Sequence, residues 1–460
     1  MWFEHLTTRI LNRIVKKRPA RAAAGLLLGK AIGDVHAPVV LADRFRCEHC
    51  IVLGKTGSGK TYLLESLAWQ IGQLNQGFAL IDFHGDLSLN LISRLSTLPG
   101  ARERLVILDP SHPTLSAGLN ILEATNDEGE RSRRVSELSS ILRARWGVDS
   151  FGARTEELLR NSLYVLAANH LTVAELPKLL TNDGFRQHLV RSIQHPDIKT
   201  YFNDRYDPLS DGMKAAFREP LLNRITAFLT EPAARHLLSQ RRSSIDIPGI
   251  MAAGQWFVIR LPKGRLREHA HTLANLIFAQ LQFAAMSRDA LPRDMRHTFT
   301  LICDEVQNLA ENDLETLLTE ARKFGISIIT ANQYWSQLPR EFSGALLTAN
   351  THICFRLSTA DASILSAELD SNDRSRVALG LTALNRGEAI CRTGSEPAVR
   401  FKVPPMPDVQ PVSFDRLTDL ISRVARLRTE IEADIRRVAQ PSKPIVVGPS
   451  LDGEEGLDGW

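Results

Sequence analysis

The stretch Gly54–Thr61, GKTGSGKT, satisfies the pattern G-x-x-x-x-G-K-[ST] at every constrained position. A loop of this kind needs a buried strand before it and a helix after it, and the flanks supply both. Cys50–Leu53 is a short apolar run, and Leu64, Leu67, Ala68, Ile71 and Leu74 recur at helical spacing beyond the loop. In that setting backbone N–H groups and the positive end of the helix converge on a site of phosphate size. Gly54, Gly57 and Gly59 let the chain curl, Lys55, Thr56 and Ser58 complete the loop, and Tyr62 follows in the first turn of the helix. Lys60 is expected to reach the β- and γ-phosphates, and the Thr61 hydroxyl to hold Mg²⁺. No N-K-x-D guanine-reading motif occurs, so ATP is the expected nucleotide.

Hydrolysis needs a second half-site. Phe299–Asp304 is an apolar strand pattern closed by Asp304 and Glu305. Asp304 is expected to orient Mg²⁺ and its water shell, and Glu305 to polarise the attacking water. The next strand pattern ends at Gln333, whose amide is placed to sense the γ-phosphate, with Asn332 as the fallback. Charge on the far side of that phosphate calls for an arginine, commonly from a neighbouring subunit. Arg322, on a helix closed by Gly325, and Arg356, within an apolar strand pattern over Ile353–Leu357, are the candidates, although either suits a structural ion pair equally well. Asp82, His84 and Asp86, past the end of another strand, are expected near the nucleotide pocket.

Strands alternating with helices predict a parallel sheet with both faces covered. The alternation stops near residue 125 and resumes at Trp256–Leu261. Between them come only helical patterns: one through Val135, Leu138, Ile141 and Leu142, one with Leu158, Leu159, Leu163 and Leu166, one opened by the capping box Thr172–Glu175, and one over Lys214–Leu229. The fold class expected is therefore α/β, a P-loop NTPase core with an all-α insertion. The division is 1–30, 31–125 (core), 126–245 (all-α insertion), 246–403 (core) and 404–460. Residues 31–49 read as an irregular lead-in with one strand at Val39–Leu41. The final segment reads as a proline-rich linker, one helix over 413–439 striped by Leu417, Leu420, Val424, Leu427, Ile431, Ile435 and Val438, and an acidic tail with Asp452, Glu454, Glu455 and Asp458.

At 460 residues the chain exceeds one ordinary core, and with 43% hydrophobic and 23% charged residues it is globular in composition. A net charge of only +4 announces no global nucleic-acid field, so DNA contact needs local patches. Arg131, Arg133, Arg134, Arg143 and Arg145 form one such patch or, equally, a solvated helix face. The five cysteines, Cys47, Cys50, Cys303, Cys354 and Cys391, are odd in number and mostly inside apolar runs, which predicts reduced thiols in a cytoplasmic protein. Cys47 and Cys50 make a lone CxxC, too few ligands for zinc. No apolar run approaches the ~18–20 residues needed to span a bilayer. Residues 1–18 read as a basic amphipathic helix, suited to docking on protein or to peripheral contact with a membrane surface.

Taken in order, Gly54–Thr61, Leu80–Asp86 (LIDFHGD), Leu108–Pro110, Gly118–Asn120, Asp304–Glu305, Glu320–Gly325 (EARKFG) and Ala331–Gln333 resemble the HerA–FtsK superfamily, and within it the TraG/TraD-type coupling ATPases of conjugation and type IV secretion. The resemblance spans about residues 30–403. It implies a RecA-like core, assembly into a homo-oligomer, usually a hexameric ring, and ATP hydrolysis coupled to DNA movement. It also carries Lys60, Thr61, Asp304, Glu305 and Gln333 into the roles argued above and makes Arg322 the first choice for the arginine in trans. The N-terminal transmembrane helices of membrane-bound members are missing, which leaves open a DNA-processing or defence role. It also leaves open an ATPase that drives protein export, or a scaffold that recruits a partner protein to its helical domain.

Overall fold

The computed structural model of the chain describes residues 24–33, 37–123, 127–146, 152–309, 317–338 and 340–439. The amphipathic segment 1–18, the acidic tail and Leu314 of the helix before Gly325 lie outside the described residues.

Strands β1 (Gly25–Ala31), β2 (Pro38–Ala42), β3 (Cys50–Leu53), β4 (Gly77–Asp82) and β5 (Leu105–Leu108) precede a short β6 (Leu115–Ala117). After the helical region come β7 (Trp256–Arg260), β8 (Phe299–Cys303), β9 (Ile326–Asn332), β10 (Thr351–Cys354), β11 (Glu388–Thr393) and β12 (Val399–Lys402). They build one 11-stranded sheet in the order β2-β1-β12-β11-β10-β3-β9-β8-β4-β7-β5. From β10 to β5 every pairing is parallel, and the four strands on the β11 side are added antiparallel. The phosphate-loop strand is central: Val52 pairs with Ile353 on one side and Ala331 on the other.

Both faces of the parallel part of this sheet are buried, which is why its strands from β3 to β5 and from β7 to β9 read as largely apolar runs. The alternation survives in where the side chains go. Ile51, Leu53, Ala79 and Ile81 enter one core, while Cys50, Val52, Phe78 and Leu80 enter the other. The second core is closed by helices α1 (Lys60–Gln73) and α2 (Asp86–Leu95) through Leu63, Leu64, Leu67, Leu91 and Leu95. The first runs without a break into the helical region, where α3 (Glu128–Trp146), α4 (Ala153–Ala168), α5 (Asp211–Thr230) and α6 (Pro232–Leu238) stand, and it includes α7 (His269–Ser287). The described residues between 127 and 245 hold no strand. The capping box forms as expected: Thr172 Oγ1 accepts from Ala174 N–H, and Glu175 Oε2 accepts from Thr172 N–H at 2.9 Å.

Three expectations need correction. The apolar run before residue 31 is strand β1, hydrogen-bonded to β2, so the lead-in is a β-hairpin that begins inside the stretch assigned to the N-terminal segment. The helix expected over 413–439 is two helices, α8 (Phe414–Ser422) and α9 (Arg428–Ala439). Between them β13 (Ala425–Leu427) pairs antiparallel with β6. The strand over Ile353–Leu357 ends at Cys354, so Arg356 is outside it and exposed. No helix of the described residues is long and apolar enough to cross a membrane.

Candidate active site

In a parallel sheet the C-terminal ends of the strands share one edge, and the turns that follow them are neighbours. Here the ends of β3, β9, β8, β4 and β7 deliver the candidate residues. The loop after β3 is tied on both sides: Gly54 N–H donates to Asn332 O at 3.3 Å and Lys55 N–H to Arg356 O at 2.9 Å. Ser58 O in turn accepts from Gly387 N–H at 2.8 Å. A Cβ on Gly54 would stand 2.6 Å from Phe355 Cβ, and Gly59 holds φ at +120°, so neither position admits a side chain without movement.

The cradle fits a nucleotide phosphate. The amides of Thr56, Gly57 and Gly59 have no protein acceptor among the described residues, and the buried Ser58 hydroxyl has no partner. Lys60 is buried and folds its ammonium back onto Gly54 O at 2.5 Å and Lys55 O at 3.2 Å, bonds that phosphate oxygens can replace. Burial lowers the pKa of Lys60, against the pull of Asp304 and Glu305. Thr61 Oγ1 donates to Asp304 Oδ2 at 3.3 Å. Burial likewise pushes the Asp304 carboxyl above its usual range, with Asp82 and Glu305 adding to the push and Lys60 opposing it. A hydroxyl and a carboxylate at this spacing are a donor set suited to Mg²⁺, and the cation would supply positive charge beside the buried Asp304 carboxylate.

Glu305 follows Asp304 with φ 55° and ψ 54°, a left-handed conformation that costs a non-glycine residue on the order of 1 kcal/mol or more. Its side chain is buried, and both oxygens are occupied. Oε1 accepts from Gln333 Nε2 at 3.0 Å and bonds His84 Nε2 at 2.8 Å. Oε2 accepts from Lys263 Nζ at 2.7 Å and Asn308 Nδ2 at 3.1 Å. Burial would raise this carboxyl, but the bonds from Lys263 and His84 outweigh it and hold the pKa below its usual value. Gln333 faces the other way too: its Oε1 accepts from Thr56 Oγ1 at 2.8 Å. A single hydrogen-bonded path therefore runs from the phosphate loop through Gln333 to Glu305.

Lys60, Thr61, Asp304, Glu305 and Gln333 are brought together, and Tyr62, in the first turn of α1, takes the Met406 N–H of the proline-rich stretch on its hydroxyl. Arg322 is elsewhere. It is exposed, pairs with Glu48 Oε1 at 3.0 Å, and precedes β9, which puts it at the opposite edge of the sheet from its own phosphate loop. Arg356 contributes its backbone carbonyl to the loop. Asp82 is a turn-former: fully buried, it accepts from the N–H groups of His84, Gly85 and Ser88. It sits on β4, which borders β8 rather than β3. No cluster of metal-binding residues exists among the described residues, and all five cysteines are free.

Much of the arginine patch on α3 turns back on its own protein. Arg134 pairs with Glu130 at 2.8 Å, Arg143 with Glu156 at 3.1 Å, and the Arg133 guanidinium lies 4.5 Å from the Phe283 ring. Lys263 and Asn308 went unnoticed in the sequence. The signal for Lys263 was available, since it follows the end of β7 in a sheet whose strand ends share one edge.

Two family models match the chain: the helicase HerA central domain over residues 26–181, and the TraM recognition site of TraD and TraG over residues 298–372. No curated protein matches. Among solved structures, the bacterial conjugative coupling protein TrwBΔN70 is similar at 16% identity, covering 89% of this chain and 93% of that one with a TM-score of 0.59. The plasmid coupling protein TrwB bound to ADP and Mg²⁺ gives 17% identity, coverage of 88% and 93%, and a TM-score of 0.57. VirB4 of Thermoanaerobacter pseudethanolicus gives 15%, 85% and 99%, and 0.55. The resemblance to the HerA–FtsK superfamily holds, the fold is that of a RecA-like P-loop ATPase, and the enzyme is an ATPase.

Proposed function

We propose that this chain is an ATP-driven motor that assembles as a ring, a hexamer by analogy with its superfamily, and moves DNA. The observation that carries the reading is the path from Thr56 through Gln333 to Glu305, set in a core that carries a large helical insertion. A static nucleotide store has no use for an amide that touches both the phosphate loop and the base. In this reading Lys60 binds the β- and γ-phosphates, and Thr61 and Asp304 would hold Mg²⁺, which would supply positive charge against the phosphate oxygens. Glu305 takes the proton of the attacking water, and Gln333 reports the presence of the γ-phosphate to β9. Arg322 faces outward, so its part in hydrolysis is at the site of the next subunit. ATP is preferred over GTP because no guanine-reading motif is present.

Measuring ATP hydrolysis with and without single- and double-stranded DNA tests the motor. Stimulation by either form is the expected result, and a rate indifferent to every form and length of DNA contradicts it. A second reading, a nucleotide-gated scaffold that recruits a partner protein, draws on the match to a TraM recognition region. That match runs from β8 past β10 to the end of the helix Thr359–Leu369, so it takes in buried strands of the sheet and an exposed helix face that includes Ile364. Slow turnover that responds to a partner protein and ignores DNA would favour this alternative.

A further inference from the structure

Resting on the assignment of Glu305 as the base, we infer that Lys263 is a positioning residue that withholds Glu305 from water until the nucleotide-loaded site releases it. A carboxylate has about four lone-pair positions. In Glu305 they face Gln333, His84, Lys263 and Asn308. A base in this state has no acceptor left for the proton of an attacking water, so at least one partner must leave before it can work.

The four differ in what could move them. Gln333 is bound to the phosphate loop through Thr56 and belongs to the nucleotide sensor. Asn308 sits in the turn after Glu305 and is bonded to the Glu305 carbonyl as well, so it travels with the base. The His84 side chain is more than half exposed, and its ring has no other hydrogen bond among the described residues. Lys263 carries the full positive charge. Its ammonium bridges Glu305 Oε2 and Asn308 Oδ1, at 2.7 and 3.0 Å, and lies 5.1 Å from the Phe83 ring.

Lys263 also has the right connections for control. Its own N–H is anchored to Phe83 O at 2.9 Å. It opens the short helix Lys263–Leu266 between β7 and α7, and β7 is the first strand after the helical insertion. Helix α7 packs on α3 of that insertion, where Arg134 reaches Gln280 at 3.4 Å. A load or partner that shifts the insertion against the core thus acts on the segment that carries the clamp.

The test is steady-state ATP hydrolysis by full-length Lys263→Met, Lys263→Arg, Glu305→Gln and the Lys263→Met/Glu305→Gln double variant, without DNA. A partly exposed ion pair is worth up to about fivefold in an equilibrium. Lys263→Met should therefore raise kcat by about two- to fivefold with the KM for ATP unchanged, and Lys263→Arg, which keeps the charge, should stay at the wild-type rate. In the Glu305→Gln background Lys263→Met should change nothing. A kcat for Lys263→Met at or below wild type, or an equal effect of the substitution with and without Glu305, overturns the clamp. If Glu305→Gln alone hydrolyses ATP at the wild-type rate, it is the base assignment that fails, whatever Lys263 does.

Discussion

Glu305 and Lys60 separate two losses that a single activity assay would merge. General-base catalysis contributes roughly 10²–10⁴-fold. Glu305→Gln is accordingly expected to lower kcat by about 10²-fold or more while fluorescent ADP binds normally, because Gln keeps the shape and one of the two acceptor oxygens. Lys60→Ala should remove nucleotide binding itself. A different residue sets a pH limit on stability. His49 is buried, its Nε2 bonds Leu318 O at 3.0 Å, and its Nδ1 accepts from Ile328 N–H at 3.3 Å, which only a neutral ring can do. Burial lowers its pKa from 6.5 to about 4, with Arg322 assisting. The unfolded chain therefore binds the proton first: the stability His49 contributes is complete above pH 6.5 and is lost as the pH falls toward 4, by about 3 kcal/mol at most. Urea denaturation across that window should show a steep decline in wild type and a flatter one in His49→Gln. At this scale the sequence was most legible where chemistry demands a residue type. Lys60, Thr61, Asp304, Glu305 and Gln333 all meet, whereas Lys263 and Asn308 matter only through where the chain brings them.

Elements were legible in proportion to how far their pattern is local. The parallel strands declare themselves as apolar runs, and the capping box at Thr172 is written in four consecutive residues. Thr172→Ala removes the bond from Ala174 N–H and a 2.7 Å donor to the buried Glu175. It should cost about 1–2 kcal/mol in urea denaturation and leave ATP hydrolysis intact. What stayed hidden depends on distant partners. The stripe from Leu417 to Val438 is continuous, but Ala425–Leu427 in its middle pair with Leu115–Ala117, and that tertiary pairing overrides the helical period. Arg428 secures the break, donating from its backbone to Thr114 O at 2.9 Å and from its side chain to Pro110 O at 2.7 Å. Strand β1 was equally hard to read, because its glycines weaken a strand pattern. Both are required by the close approach of a neighbouring backbone, since a Cβ on Gly25 or Gly29 would meet a carbonyl oxygen at 2.2 or 2.3 Å.

Across the whole molecule, the phosphate loop and Arg322 stand at opposite edges of one sheet, so the part in hydrolysis proposed for Arg322 requires a second chain. Mixing Lys60→Ala with Arg322→Ala subunits should then restore part of the hydrolysis that neither has alone, because some interfaces recover one intact loop and one intact arginine. No recovery at any mixing ratio would remove Arg322 from the reaction. The ring and its load are also where the sequence is least explicit: a net charge of +4 marks no DNA-binding face, and the arginines of α3 are largely engaged by their own protein. The central claim, that hydrolysis at this site moves DNA, is tested most directly by displacement of streptavidin from end-biotinylated single- and double-stranded DNA. Wild-type protein with ATP and Mg²⁺ should clear the block from at least one form, and Glu305→Gln from neither. Brisk ATP hydrolysis with the block untouched on both forms would contradict it.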